Sequence, residues 1–211
     1  MLSLVLGGAR SGKSRFAIEL AARSGSRVVY VATGVVTDPE MAVRVARHRA
    51  ARPPGWVTVE EPLEPSVAVR RHAAADAVVV DCLGFAVSNR LLALWREPQG
   101  PPVADPQVLE QVEGAVLAEA RALAEAARAA AAHVIVVSNE VGLGPVPESA
   151  LGRAFRDLLG LANQAVAAAA DAVYVTWAGI PVEVKALDAR RLQRSGADPG
   201  APAVAPGPAE G

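Results

Sequence analysis

The sequence of 211 residues has very little cysteine, no strong net charge and no long apolar run, and each shortage excludes a class of protein. The single cysteine, Cys82, cannot form an internal disulfide, which favours a reducing compartment such as the cytoplasm. The formal net charge of -1 gives no overall attraction to nucleic acid or to an anionic membrane. Even the most alanine-rich stretch is interrupted by Asn163 and Asp171, so no segment is predicted to span a membrane. We therefore expect a soluble cytoplasmic protein with neither nucleic acid nor membrane as its partner.

The composition also limits the number of domains. Hydrophobic residues make up 52% of the chain but aromatic residues only 4%, which suits alanine-rich helices packed closely on a sheet. A chain of this length can bury one substantial core. Beyond about residue 188 the sequence is rich in Gly, Pro and Ala. We predict one domain over residues 1–187 and a disordered tail over residues 188–211.

Short apolar strands alternate with amphipathic helices along the chain. The predicted strands are 2–6, 27–32, 56–60, 77–80, 133–138, 172–176 and 182–185, the last two joined by a turn at 179–181. The predicted helices are 14–23, 39–52, 64–74, 83–95, 107–131 and one from about 149, with a Pro/Gly loop over 97–106. This alternation predicts an α/β fold, a mainly parallel sheet with helices on both faces. Ligands of such folds bind at the carboxyl ends of the strands.

The segment GGARSGKS at residues 7–14 has the spacing of a phosphate-binding P-loop. Gly7 and Gly12 flank four residues and are followed by Lys13 and Ser14, between an apolar strand and a helix. The glycines allow phosphate oxygens to approach backbone N–H groups, and the helix N-terminus attracts the same anion. An ordinary glycine turn is the structural alternative. Lys13 argues against that alternative, because the chain has only two lysines among its 21 basic residues.

Two carboxylates follow predicted strands and are candidates for catalysis. Asp81 ends an apolar strand, where P-loop proteins place a carboxylate beside the Mg²⁺ that the Ser14 hydroxyl also ligates. The alternative for Asp81 is a polar residue that merely ends the strand. Glu140 follows a later strand and is either a general base for a substrate hydroxyl or a cap of the next turn.

A basic stripe occurs on the helix that is predicted to begin at Pro39. Arg44, His48 and Arg52 are spaced at i, i+4 and i+8 and therefore share one helix face. Spacing alone favours a solvated basic face. The functional alternative is a histidine that attacks phosphorus while the arginines neutralise a departing pyrophosphate.

Five further residues that sometimes carry chemistry are interpreted as structural. His72 lies near a helix C-terminus, His133 starts a strand, and Cys82 has no activating neighbour in the sequence. Trp56 and Trp177 are expected to pack in the protein and not to stack on a nucleobase.

An ordered series of segments resembles one known family over residues 2 to 185. The family is the bifunctional adenosylcobinamide kinase/adenosylcobinamide-phosphate guanylyltransferase. The resembling segments are 7–14, 30–33, 38–41, 44–48, 52–56, 60–62, 80–83, 87–89, 138–144, 146–147, 155–157, 160, 163–164, 170–171 and 178–181. The chain departs from the usual pattern at Gly84, Phe85 and Ala86, where the family has Thr-Leu-Trp, and at Gly34, where the family has Ala or Ser.

The resemblance implies a RecA-like fold, a homotrimer and two reactions. Adenosylcobinamide is first phosphorylated with ATP or GTP, and GMP is then transferred from GTP to adenosylcobinamide phosphate through a GMP–histidine intermediate on His48. With Mg²⁺ as the expected cation, Ser14 and Asp81 are the implied metal ligands. The implied nucleotide contacts are Gly7, Gly8, Ala9, Arg10, Ser11, Gly12, Lys13, Ser14, Ala32, Thr33, Gly34, Arg49, Arg52, Glu60 and Asp81.

Two other functions compete with this one at the level of the sequence. The first is a P-loop kinase that phosphorylates a small molecule and transfers no nucleotide. It differs from the bifunctional enzyme that the resemblance implies only in the role of His48. The second is a RecA-like nucleotide-binding module, which the net charge of -1 disfavours as a partner of nucleic acid. The residues also leave open whether Glu60 or Glu61 is the nucleotide contact.

Overall fold

The fold is taken from a computed structural model that describes residues 1–95 and 106–188. The predicted loop at 97–106 and the predicted tail at 188–211 therefore lie almost entirely outside the described residues. Seven strands form one sheet in the order β3-β2-β4-β5-β1-β6-β7. Their bounds are β1 Leu2–Gly7, β2 Val28–Ala32, β3 Val57–Glu60, β4 Ala77–Asp81, β5 His133–Val137, β6 Ala172–Trp177 and β7 Ile180–Glu183.

The strand pairing is parallel except at one edge. The strands β1 to β6 pair with parallel neighbours, and β7 pairs antiparallel with β6. Within residues 1–95 and 106–188, six helices connect the strands: α1 Lys13–Ser24, α2 Pro39–Ala50, α3 Pro65–Arg71, α4 Leu83–Leu94, α5 Pro106–Ala129 and α6 Ala150–Ala169. The predicted α/β class and the mainly parallel sheet are confirmed.

Alternate residues of the strands face two separate hydrophobic cores. Leu4 and Val80 face a core that contains residues of α3, α4, α5 and α6. Val5 and Val79, one position away in each strand, face a second core with residues of α1. The predicted arrangement of helices on both faces is therefore confirmed, and it follows from side chains that alternate along each strand.

Helix α2 begins where the sequence predicts but ends earlier. The Oδ1 of Asp38 accepts a hydrogen bond from the backbone N of Met41 at 2.8 Å, and Pro39 occupies the first turn. The helix ends at Ala50, two residues before the predicted end. Arg52 precedes Pro53, and a residue before proline is disfavoured in helical backbone.

The hairpin between β6 and β7 corrects the predicted turn. The turn consists of Ala178 and Gly179, with φ of 50° and 83°, while Ile180 and Pro181 belong to β7. Two-residue hairpins favour positive φ at both central residues, which glycine adopts without strain. Pro181 fits in β7 because this strand lies at the edge of the sheet.

Helix α5 presents the predicted apolar stripe to the core, and Ser149 caps α6 by accepting a hydrogen bond from the N of Gly152 at 3.1 Å. Within residues 1–95 and 106–188, no helix combines the length and hydropathy that a membrane crossing requires.

His133 is structural, as expected, and lies at the amino end of the sheet. Its Nε2 is 2.9 Å from Ser3 Oγ and its Nδ1 is 2.8 Å from Ser24 Oγ. Burial lowers the pKa of His133 below its ordinary value of 6.5; the N-terminal ammonium group acts in the same direction, whereas Asp171 opposes the shift.

We predict that His133 makes the protein less stable at acidic pH. As the pH falls through 6.5, the unfolded chain binds a proton that the folded chain resists, so the free energy of unfolding falls. One such proton contributes at most about 1.4 kcal/mol per pH unit. Urea unfolding of wild type and His133→Gln between neutral and mildly acidic pH measures the difference. Parallel pH profiles for the two proteins would refute the prediction.

Candidate functional site

The loop between β1 and α1 has the geometry of a P-loop. Arg10 and Gly12 have left-handed backbone, with φ of 57° and 95°, a conformation that can turn successive N–H groups toward a common anion. A Cβ at Gly7 would collide with the Ser11 side chain and lie 2.8 Å from the carbonyl oxygen of Thr176. The two glycines of the motif are therefore required by the local packing.

The β6–β7 hairpin packs against this loop. The N of Gly179 donates a hydrogen bond to the carbonyl of Ser11 at 2.9 Å. A Cβ at Gly12 would lie 3.2 Å from the Cα of Gly179, so the two backbones pack directly on one another. Lys13 Nζ donates to the carbonyl of Gly8 at 3.2 Å and thus lies across the loop.

A cavity of about 730 Å³ lies over the loop and is called the P-loop cavity below. Its lining comes from the P-loop, from α2 and from the segment after β5: Ala9, Arg10, Ser11, Gly12, Lys13, Ser14, Arg15, Glu40, Val43, Arg47, His48, Asn139, Glu140 and Val141. Basic side chains outnumber acidic ones in this lining, which suits a polyphosphate.

A second cavity of about 380 Å³ lies between α2 and the carboxyl ends of β2, β3 and β4. We call it the apolar cavity, because hydrophobic side chains form most of its wall. Its lining consists of Tyr30, Ala32, Gly34, Val35, Val36, Met41, Val45, His48, Arg52, Glu60, Pro62, Asp81 and Phe85. Two aromatic side chains and several aliphatic ones around a few polar groups suit a flat, partly polar ligand such as a nucleobase.

Among the residues that the structure describes, His48 is the one that lines both cavities. Its side chain is about half exposed, in the last turn of α2. The Nδ1 of His48 lies 3.9 Å from Oδ2 of Asp81, whose side chain is only 10% exposed. The imidazole therefore lies between the P-loop cavity and the apolar cavity, close to the Asp81 carboxylate.

The Asp81 carboxylate also contacts Tyr30. The Tyr30 hydroxyl donates a short hydrogen bond to Oδ2 of Asp81. Burial, followed by the negative charge of Asp81, raises the pKa of Tyr30 far above its ordinary value, so the phenol stays protonated. The Arg52 guanidinium lies over the Tyr30 ring at 3.7 Å from the centroid, and its Nη1 donates a hydrogen bond to Thr58 Oγ1 at 2.9 Å.

Thr33 directly follows β2 and is hydrogen-bonded to Cys82, which directly follows β4. Its Oγ1 donates to the carbonyl of Cys82 at 2.6 Å and accepts from the N of Cys82 at 2.7 Å. Its own carbonyl accepts a hydrogen bond from Asn89 Nδ2 at 2.8 Å. Thr33 is fully buried, so the apolar cavity is reached by its neighbours Ala32 and Gly34.

The two adjacent glutamates after β3 have different surroundings. Glu60 lines the apolar cavity. Oε1 of Glu61 instead accepts hydrogen bonds from the N of Leu63 and of Glu64, at 3.3 and 3.1 Å. The geometry therefore favours Glu60 as the nucleotide contact, although that role stays a prediction.

The other candidates occupy several positions. Arg49 lines a third cavity of about 370 Å³ together with Arg52 and Trp56. Glu140 lines the P-loop cavity, while its Oε1 accepts from the N of Gly142 at 2.7 Å, so it caps the turn as well. Although Arg44 lies within α2, its side chain falls outside the described part of the structure, which leaves that member of the basic stripe untested.

Two sequence-based expectations about individual residues have clear outcomes. Cys82 is buried, and burial raises the pKa of its thiol to about 12, so it is a core thiol as expected. The expectation that Trp177 packs in the protein is wrong, because its side chain is 71% exposed at the end of β6.

Sequence reasoning assigned no role to Tyr30, Phe85 or the apolar residues of α2 that complete the second cavity. A single tyrosine in the otherwise aliphatic strand VVYVA was the available signal. Within segment 84–86, where the sequence differs from the usual family pattern, Phe85 is the residue that lines this cavity.

Comparison with known proteins assigns the chain to a family. The model of the family described as "Cobinamide kinase / cobinamide phosphate guanyltransferase" matches residues 3–184. The bifunctional adenosylcobalamin biosynthesis protein CobP of Pseudomonas aeruginosa is 42% identical over 186 residues, which cover 88% of this chain and 98% of that protein. The bifunctional adenosylcobalamin biosynthesis proteins CobU of Escherichia coli and Salmonella typhimurium are 42% and 40% identical, over 88% of this chain and 100% of each relative. The match extends over nearly all of the described residues, and the chain belongs to the cobinamide kinase/cobinamide phosphate guanyltransferase family.

Proposed function

We propose that this chain is a bifunctional enzyme of cobalamin biosynthesis. It phosphorylates adenosylcobinamide with ATP or GTP, and then transfers GMP from GTP to adenosylcobinamide phosphate, with release of pyrophosphate. Family membership and the printed names of the relatives support both activities. The single observation that carries the proposal is that His48 lines both the P-loop cavity and the apolar cavity.

The kinase step is assigned to the P-loop. Backbone N–H groups of residues 8–14 and the N-terminus of α1 bind the β- and γ-phosphates, and Lys13 neutralises charge on the transferred group. Glu140 lines the same cavity, so the substrate hydroxyl has a carboxylate within the site.

The guanylyl transfer step is assigned to His48. GTP binds with its base in the apolar cavity and its β- and γ-phosphates at the P-loop, which places the α-phosphorus near the imidazole. Neutral imidazole attacks that phosphorus, the bond to the β-phosphate breaks, and pyrophosphate leaves with the electron pair. Adenosylcobinamide phosphate then attacks the GMP–histidine and releases the imidazole.

The residues at this site fit a Mg²⁺ ion that is held jointly with the nucleotide. Ser14 lines the P-loop cavity and Asp81 lines the adjoining apolar cavity. Both side-chain contacts described for Asp81 use Oδ2, so Oδ1 would be its cation ligand. Among residues 1–95 and 106–188, no cluster of three His, Cys, Asp or Glu could hold a metal alone. A cation with few protein ligands suits Mg²⁺, which retains waters and binds substrate phosphates. When bound, the ion neutralises phosphate charge.

A homotrimer and a cytoplasmic location belong to the same proposal. Several large apolar side chains are exposed on the segment after β5 and on the β6–β7 hairpin, including Leu143, Trp177 and Ile180. Surfaces of this type support contact between subunits. Sedimentation equilibrium tests the trimer, and a monomeric mass over a range of protein concentrations would contradict it.

His48→Ala is predicted to abolish a covalent GMP adduct. Incubation of wild type with GTP labelled at the α-phosphate, without corrinoid, leaves label on the denatured chain, and label at the γ-phosphate does not remain. The phosphoramidate linkage resists alkali and breaks in acid. His72→Ala is the matched control and keeps the label. Stable α-label on His48→Ala would assign the nucleophile to another residue.

Lys13→Ala is predicted to weaken binding of GTP by about ten- to a hundredfold. A hydrogen bond between charged groups contributes on the order of 1.5–3 kcal/mol, and the Lys13 side chain packs in neither core. Calorimetric titration measures the affinity, and circular dichroism checks the fold. Lys185→Ala, at the only other lysine of the chain, keeps the GTP affinity of wild type. Equal affinities for Lys13→Ala and wild type would remove the P-loop from the site.

Asp81→Asn is predicted to reduce Mg²⁺-dependent turnover by at least about tenfold, because the carboxylate charge serves both the cation and His48. Turnover against Mg²⁺ concentration and the thermal midpoint are measured together. Asp157→Asn, at an exposed carboxylate on α6, is the control and retains activity. Wild-type turnover of Asp81→Asn at saturating Mg²⁺ would show that Asp81 only ends the strand.

A further inference from the structure

Oδ2 of Asp81 is approached by two side chains from different elements of the fold. The Tyr30 hydroxyl donates to this oxygen from strand β2, and Nδ1 of His48 approaches it to 3.9 Å from helix α2. The distance to His48 exceeds that of a hydrogen bond, but catalytic hydrogen bonds are often long before substrate binds and shorten in the complex.

The sheet fixes the position of Tyr30 relative to Asp81. In the parallel pairing of β2 with β4, Tyr30 is opposite Val79 and Ala32 is opposite Asp81. Tyr30, Val79 and Asp81 therefore face the same side of the sheet, and the Tyr30 ring extends toward the carboxyl end of β4. Tyr30 is only 2% exposed, so its ring has little freedom to move.

Arg52 packs against one face of the Tyr30 ring. Its guanidinium lies 3.7 Å from the ring centroid, and its Nη1 donates a hydrogen bond to Thr58 Oγ1. The Tyr30 hydroxyl is thus directed at Asp81 by contacts with β2, β4 and the segment that follows α2.

We propose that Tyr30 is a positioning residue for guanylyl transfer: its hydroxyl holds the Asp81 carboxylate so that Oδ2 orients His48 with Nδ1–H toward it and Nε2 free to attack. This inference rests on the proposed role of His48 as the nucleophile.

The chemistry of the step requires such an orientation. The lone pair of Nε2 forms the bond to the α-phosphorus of GTP, the bond to the β-phosphate oxygen breaks, and pyrophosphate takes the electron pair. The Nδ1 proton stays on the ring, and the positive charge that develops on the imidazole faces Asp81. A carboxylate in this position fixes the tautomer and stabilises the charged ring. Without the Tyr30 hydroxyl, the carboxylate can rotate and the tautomer is no longer fixed.

The test compares Tyr30→Phe with Tyr174→Phe, because the chain has only these two tyrosines. Tyr30→Phe keeps the ring that Arg52 covers and removes only the hydroxyl. Tyr174 lies on β6 and packs against Phe16, away from Asp81. The readouts are the single-turnover rate at which α-labelled GTP modifies the chain and the equilibrium affinity for GTP.

We expect Tyr30→Phe to slow adduct formation by about tenfold or more, as for loss of a hydrogen bond to a charged group, with an unchanged affinity for GTP. Tyr174→Phe reacts at the wild-type rate. Equal rates for Tyr30→Phe and wild type would overturn the inference and leave the role of His48 intact. Absence of adduct on wild type would overturn the proposed guanylyl transfer, and the inference with it.

A spectroscopic measurement tests the same point without relying on the rate. The ¹⁵N shifts of the His48 ring, assigned by their absence in His48→Ala, report which nitrogen carries the proton at mildly alkaline pH. We expect a single Nδ1–H tautomer in wild type and a mixture of tautomers in Tyr30→Phe. The same single tautomer in both proteins would overturn the inference.

Discussion

The candidate site depends on where the C-terminal end of helix α2 meets the sheet. Most of this helix is exposed, and its described polar contacts with the sheet come from its last turn and the segment after it. His48 approaches Asp81 from that last turn, and Arg52 covers Tyr30 just beyond it. These contacts bring the imidazole to the carboxyl edge of the strands. On the side of α2, the apolar cavity is lined by His48 and Arg52 together with apolar residues of the helix.

Under the proposed mechanism, the position of His48 between the two cavities explains how one chain can serve two phosphorus reactions. In that mechanism the P-loop binds the outer phosphates of a nucleotide in either case. Kinase chemistry breaks a bond to the γ-phosphorus and needs only an acceptor on that side. Guanylyl transfer breaks a bond to the α-phosphorus and needs a nucleophile beside the phosphate chain, and His48 lines the P-loop cavity. In this proposal, the position of the attacking group distinguishes the two reactions.

The sequence predicted features that depend on neighbouring residues. The P-loop is specified by glycine spacing, and the start of α2 by Asp38 and Pro39, so both were identified from the sequence. Strand ends were also identified, because apolar runs stop at polar residues such as Asp81. The contact of Tyr30 with Asp81 depends on strands β2 and β4 being neighbours in the sheet, and no local pattern reveals that pairing. For the same reason the support of the P-loop by Gly179, the apolar cavity and the exposure of Trp177 emerged only from the structure. The role proposed for His48 came from the resemblance, since its spacing alone favoured a solvated face.

The proposed guanylyl transfer requires that His48 forms a covalent bond to GMP while pyrophosphate is released from GTP. Isotope exchange between labelled pyrophosphate and GTP, in the absence of any corrinoid, measures that reaction directly. If the covalent intermediate forms reversibly, label enters the β- and γ-phosphates of GTP in wild type, and His48→Ala shows no exchange. Absence of exchange in active wild-type enzyme, or equal exchange in His48→Ala, would contradict the account.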